Sequence, residues 1–187
     1  LVQAVDAERI ALIGDGEIAG NNHAFWQPDR PHAWCFWKAH LERVSPMIEL
    51  QRCRGVRIEN LTLRDSAGWT LHPHDCRHVR ITGIRIRNPY FGPNADGIDI
   101  TGGDSILISD CDIETGDDAI ALKTSEYSEP LTHVAITNCI LRTSCVGVRI
   151  GYESRRDFRD IVISNCVIPR CSRAFDLRSI EGASIER

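Results

Sequence analysis

The feature that most limits what this chain can fold into is a repeat. Five apolar bursts share one template, with apolar side chains at relative positions 0, 2, 5 and 7: Val56, Ile58, Leu61, Leu63; Val79, Ile81, Ile84, Ile86; Ile106, Ile108, Cys111, Ile113; Val134, Ile136, Cys139, Leu141; Ile161, Ile163, Cys166, Ile168. Their starts lie 23, 27, 28 and 27 residues apart. Each burst is followed by a second alternating run, 13 or 14 residues after its start in four units and 19 in the one starting at Val79: Trp69 to Leu71, Ile98 to Ile100, Ile120 to Leu122, Val148 to Ile150 and Phe175 to Leu177. Alternating β-branched residues bounded by Gly, Asn, Asp and Pro are strand and turn chemistry. A unit this short cannot bury its own apolar side, so neighbouring units must stack. Leucine-rich repeats share the period but need a Leu/Asn consensus that is missing, and propeller blades run longer. The pattern predicts an all-β chain, a right-handed single-stranded parallel β-helix forming one domain over residues 1–187.

Composition removes other classes. With 42% hydrophobic and 26% charged residues in 187, the chain is globular in type. A net charge of -4 argues against a nucleic-acid partner. No apolar run approaches the roughly 18 to 20 residues that cross a bilayer, so no membrane partner is expected, and the chain reads as a monomer. Eight cysteines would suggest disulfides, yet none lies in a CxxC spacing. Stacked coils place equal phases about 4.8 Å apart. Cys111, Cys139 and Cys166 share one inward phase and Cys53 and Cys76 another, which reads as small apolar residues in a core. Ile185-Glu186-Arg187 looks like the first strand of a further unit, so truncation at both ends is expected.

The chemistry concentrates in one phase. Lining up the second runs places Ala67, Asp96, Asp118, Val146 and Arg173 together, each before Gly68, Gly97, Ala119, Gly147 and Ala174. Asp117 stands beside Asp118. Three acids at one turn raise one another's pKa, at a cost unless a cation or a catalytic proton relieves them. Polar turn chemistry, a calcium site and paired acid and base work on a glycosidic bond all remain open from the residues alone.

Asn94-Ala95-Asp96-Gly97-Ile98-Asp99, then Thr115-Gly116-Asp117-Asp118-Ala119-Ile120-Ala121-Leu122-Lys123, resembles the Asn-Thr-Asp and Gly-Asp-Asp motifs of glycoside hydrolase family 28, the polygalacturonase family. The 21 residues from Asp96 to Asp117 suit that family as well. Gly14-Asp15-Gly16-Glu17-Ile18-Ala19-Gly20 is similar to its early Gly-rich turn, and Asp65-Ser66-Ala67-Gly68-Trp69-Thr70-Leu71-His72 to its Asn-Ser-Pro-Xaa-Trp strand. The resemblance implies an inverting hydrolase of pectic, galacturonan-type polysaccharide or oligosaccharide, secreted or periplasmic, needing no cofactor and no metal. It implies Asp117 as general acid and Asp96 and Asp118 as the residues that hold and deprotonate water. Two family motifs are altered. The Gly-His-Gly motif would fall on Cys145-Val146-Gly147 and the Arg-Xaa-Lys motif on Asp176-Leu177-Arg178, so the histidine and the first arginine are absent.

Substrate-binding positions are expected at Asn94, Asp99, Lys123, Arg149 and Arg178. Arg149 and Asp176 share the phase of Asp99, and Lys123 and Arg178 share a neighbouring one. Arg149, with Lys123 or Arg178, could grip a sugar carboxylate; the other reading is that these cations neutralise the acids. Strict alternation turns Asp96 and Asp99 to opposite faces, so a bend at Gly97 is expected. The aromatic run Phe25, Trp26, Trp34, Phe36 and Trp37 reads as loop packing, and Tyr90-Phe91 as a neighbour of the cleft. His32, His72, His74, His78 and His133 read as surface residues. A β-helical polysaccharide lyase and a non-catalytic carbohydrate-binding homologue are the competing functions.

Overall fold

Why the bursts become coils is visible at their ends. In the computed structural model, which describes residues 1–31, 37–40 and 42–186, the residue before each burst is left-handed: Gly55, His78, Ser105, His133 and Asp160 all have φ between 50° and 69°. So is the residue four places after each start, namely Asn60, Gly83, Asp110, Asn138 and Asn165. Asn, Asp and Gly tolerate this conformation best. Two left-handed corners per unit bend the chain at fixed places, and the short strands between them lie on successive faces. His32, Trp34, Phe36 and Arg187 lie outside the described residues.

The result is a parallel β-helix. One face stacks Val2–Val5, Ile48–Gln51, the first part of Leu71–Thr82, the first part of Ile98–Ser109, Ile120–Thr124, Val146–Ser154 and Arg173–Ser179, all parallel. The bursts make the second face, with Val56, Val79, Ile106, Val134 and Ile161 in one column and Ile58, Ile81, Ile108, Ile136 and Ile163 in the next. The third face stacks Glu17–Ala19, Thr62–Arg64, Arg85–Arg87, Asp112–Thr115, Ile140–Thr143 and Val167–Arg170. The inward columns are buried through the middle coils, where Ile58, Ile81, Ile108 and Ile136 have no exposed surface, and partly buried in the last, at Ile161 and Ile163. Burying each such side chain is worth about 1.5–3 kcal/mol, so the stacked columns hold the coils together.

An earlier coil escapes the template. Ile10 and Leu12 pair with Val56 and Ile58, and Ile18 pairs with Leu63. Ile18 falls at relative position 8 because its turn is one residue longer, and residues 20–47 then interrupt the stack. That insertion holds a short 3-10 turn (Asn22–Ala24) and an antiparallel pair, Trp26–Pro31 with Trp37–Ala39. Trp26 packs edge-on against Trp37, with ring centroids 5.7 Å apart, and donates its indole N–H to the Ala67 carbonyl. Those two aromatics do pack the insertion onto the solenoid. All seven described cysteines are free thiols. Among the described residues no helix is long and apolar enough to cross a membrane.

Gly97 has no left-handed φ. It is required instead by close approach: a Cβ there would strike the Ala119 carbonyl oxygen of the next coil and lie 2.9 Å from Ile113. Gly97→Ala is therefore expected to destabilise the protein by about 1–3 kcal/mol, the usual range for overpacking. A lower urea midpoint with unchanged slope will register it; an unchanged midpoint would show that the coils separate freely at this point.

Candidate active site

The backbone ladder sets the order of the acids. Thr70 donates to Asp96 O, Gly97 to Asp118 O and Ala119 to Val146 O, at 2.9–3.0 Å. These bonds put Trp69, Asp96, Asp118, Val146 and Arg173 in one column. Trp69 thus takes the position expected of Ala67. The turn joining Arg64 to Leu71 is one residue longer than that joining Glu114 to Ile120, so the apparent Trp69/Leu71 alternation does not begin inside the helix. Leu71 is the first inward residue and Trp69 points to the cleft.

Asp96, Asp117 and Asp118 line one cleft of about 220 Å³, together with Trp69, Lys123 and Arg149. Asp117 is partly exposed, whereas Asp96 and Asp118 are buried. Burial, then the charge of Asp118, raises the pKa of Asp117. Burial, then Asp99 and Asp117, raises that of Asp96 well above the carboxylate range. Asp96 Oδ1 is buried and receives no hydrogen bond among the described residues.

Arg149 meets the opposite fate to that of a free ligand-binding cation. It is 4% exposed, its Nε and Nη2 both donate to Asp118, and its Nη1 reaches Asp176 Oδ2 at 2.8 Å. Val146 N–H also donates to Asp118 Oδ1 at 3.2 Å. A buried carboxylate needs such partners. The column Asp99, Ala121, Arg149, Asp176, with the flanking pairs Thr101–Lys123 and Gly151–Arg178, explains how charges from successive coils meet.

Lys123 Nζ lies 2.9 Å from Asp99 and 3.9 Å from the centre of the Trp69 ring. Asp99 is completely buried beneath it, and burial, opposed by the ammonium, pushes its pKa to about 7. Asp96 precedes the strand and Asp99 sits on its outward face, so alternation does not separate them; the two carboxyls sense each other without a left-handed bend at Gly97. Arg178 stands farther out, donating to Asp176 Oδ1 at 2.9 Å and to the Tyr152 hydroxyl at 3.1 Å. Asn94 stands at the cleft mouth and accepts from Arg43 Nη2 at 2.7 Å.

Several residues emerge only in space. Tyr152 lines the cleft with its ring 4.4 Å from the Arg149 guanidinium. Cys145 Sγ lies within 4.8 Å of carboxylate oxygens of Asp117 and Asp118. His72 is buried rather than at the surface; burial drops its pKa to about 3, and its Nε2 lies 2.9 Å from Thr101 Oγ1. Tyr90 packs against Arg170, whose guanidinium lies 3.7 Å from its ring, and does not line the cleft.

The family model for glycosyl hydrolases family 28 matches residues 1–186. A protein of Arabidopsis thaliana named probable polygalacturonase is 29% identical over 89% of this chain and 32% of its own length. One of Vitis vinifera with the same name is 31% identical over 86% and 33%. The chain therefore spans about a third of the length of these curated relatives. Among solved structures, a hyperthermoactive exopolygalacturonase from Thermotoga maritima superposes with a TM-score of 0.70 at 29% identity, over 75% of this chain and 33% of that one. A family 28 exopolygalacturonase from Yersinia enterocolitica shares the fold, with a TM-score of 0.74 at 16% identity over 95% of this chain and 38% of that one.

Proposed function

We propose, from the premise that this chain belongs to family 28 of the glycosyl hydrolases, that its protein hydrolyses an acidic, galacturonan-type glycan with inversion at the anomeric carbon. The observation that carries the reading is the division of labour among three acids in one cleft. Asp117 is the partly exposed carboxyl with a raised pKa, as a proton donor to a leaving group requires. Asp118 is held on both oxygens by Arg149. Asp96 is the third carboxylate lining the same cleft, and it serves as acceptor for the proton of the attacking water.

The chemistry then balances as follows. The Asp117 carboxyl gives its proton to the glycosidic oxygen as the bond from that oxygen to the anomeric carbon breaks. Water attacks the same carbon from the opposite face, and its proton passes to Asp96, with Asp118 and Arg149 keeping the site rigid. Inverting pairs leave room for that water. Trp69 offers a ring face to the sugar. Action as a monomer on polysaccharide outside the cytoplasm goes with this reading.

Two measurements test it. Incubated with polygalacturonate, the protein should release reducing sugar, and NMR should show first product with the anomeric configuration opposite to that of the bond cleaved. Retention, or an unsaturated product from elimination, would refute hydrolysis by inversion. The rate should also be bell-shaped in pH. It falls as rising pH removes the last proton of the cluster and falls again as lowering pH protonates both groups; the active form carries its proton on Asp117 and not on Asp96, and it is the minor singly protonated form because Asp96 is the more strongly raised of the two. Both groups have raised pKa values, so both limbs should lie above the ordinary carboxyl value of about 4 and should belong to the cluster as a whole.

A further inference from the structure

The cleft does not stop at the acids. Trp69 and Asn94 also line a second hollow of about 400 Å³ on the side of the earlier coils, so the two adjoin at these residues. That volume lies within the range of small-molecule sites, about 300–1,000 Å³. Its far wall is built by the insertion that interrupts the solenoid, through Arg43 and Ser45. The insertion is pinned there: Ser45 Oγ accepts the Trp69 backbone N–H at 3.0 Å, and a Cβ on Gly68 would collide with Ser45 and lie 3.2 Å from Arg43 Nε.

The cations along the whole cleft are not equivalent. Arg149 is consumed by Asp118 and Asp176, Lys123 lies against Asp99, and Arg178 is turned to Asp176 and Tyr152. Arg43 differs. Its Nη2 donates to the neutral amide of Asn94, and among the described residues no carboxylate lies within ion-pair distance of it. It is half-buried and near enough to Asp96 to feel that carboxylate. Glu49, the acid of the same hollow, already accepts from Gln3 and Gln51 at 2.8–2.9 Å. His72 carries no charge near neutral pH.

We propose that Arg43 is the specificity-determining cation of this cleft, binding the carboxylate of the uronate unit that lies over Trp69 next to the bond being cleaved. A guanidinium presents paired donors that match a carboxylate, and one held in a partly buried wall loses less entropy when it binds. The carboxylate recognition expected of Arg149 is thereby moved to a residue from the insertion. This inference rests on the hydrolase reading and names how that hydrolase selects acidic over neutral sugar units.

The test compares free-acid polygalacturonate with its methyl ester, which keeps the shape and removes the charge. In Arg43→Gln the ratio of kcat/KM for acid over ester should fall about 10- to 100-fold, the scale of one hydrogen bond to a charged group. Most of the change should lie in KM, and Arg43→Lys should recover part of the ratio. An equal loss on both substrates would show a structural role through Asn94 and overturn the proposal, as would an unchanged ratio. Binding of a galacturonate trimer, measured calorimetrically on the unmutated protein and on Arg43→Gln, decides the point independently of turnover. Equal affinity overturns the inference, whereas weaker affinity of the variant supports it. An unmutated protein that binds the trimer through Arg43 without cleaving it would refute the hydrolase reading and leave this one standing.

Discussion

Asp117→Asn should lower kcat on polygalacturonate by about 10³-fold or more, within the range of 10²–10⁴ typical of a lost general acid and near its upper end because no neighbour replaces the proton. The nearest candidates cannot substitute. Asp118 is locked against Arg149, and the Cys145 thiol is pushed to a higher pKa by burial and by both acids. The variant should keep its fold, since Asp117 is partly exposed and its carboxyl is already driven towards the neutral form by burial and by Asp118. Its melting temperature should match or slightly exceed that of the unmutated protein. A glycoside with an activated aryl leaving group should suffer far less, because that oxygen departs without protonation. The alkaline limb of the pH profile should vanish along with the acid. Full activity of Asp117→Asn on polygalacturonate would remove Asp117 from the mechanism.

The second large effect concerns stability. Arg149→Ala should cost about 3–5 kcal/mol, the usual penalty for stranding one side of a buried ion pair. Here a single guanidinium serves two carboxylates from different coils, and all three groups are at least nine-tenths buried. For a chain of this length 1 kcal/mol corresponds to about 2–4 °C in melting temperature, so the drop should exceed 6 °C. Arg149→Lys should fall between, because one ammonium can face one carboxylate well but cannot span both. Restoring stability by Arg149→Met together with Asp118→Asn and Asp176→Asn would show that the orphaned charges, and not lost packing, carry the cost. A melting temperature unchanged by Arg149→Ala would mean that Asp118 and Asp176 find water instead.

The solenoid was legible because its rule is local. Each coil repeats apolar residues at inward positions and a left-handed Asn, Asp or Gly four places after its start, so Ile58, Ile81, Ile108 and Ile136 announce their column by spacing alone. Reading failed where a turn changed length by one residue. Ile18 slipped one place and hid the first coil; the turn before Leu71 is also one residue longer than its counterpart, and matching the residue before a Gly there put Ala67 in the column position that Trp69, two residues on, occupies. A slip of one residue reverses which face a side chain takes, and periodicity has no means of detecting it without the partner strand.

The acids and the cations divide along the same line. That Asp96, Asp117 and Asp118 come from adjacent coils follows from the repeat period, because backbone hydrogen bonding holds neighbouring coils in register. Which cation faces which acid does not. Arg149 reaches Asp118 across 31 residues and Arg43 reaches Asn94 across 51. Those contacts depend on side-chain rotamers and on an insertion folding back over Trp69, and neither carries a period. Order along the chain dictated the coiling and the acid column; charge pairing waited on packing, since burial is what makes an unmatched carboxylate costly enough to choose its partner.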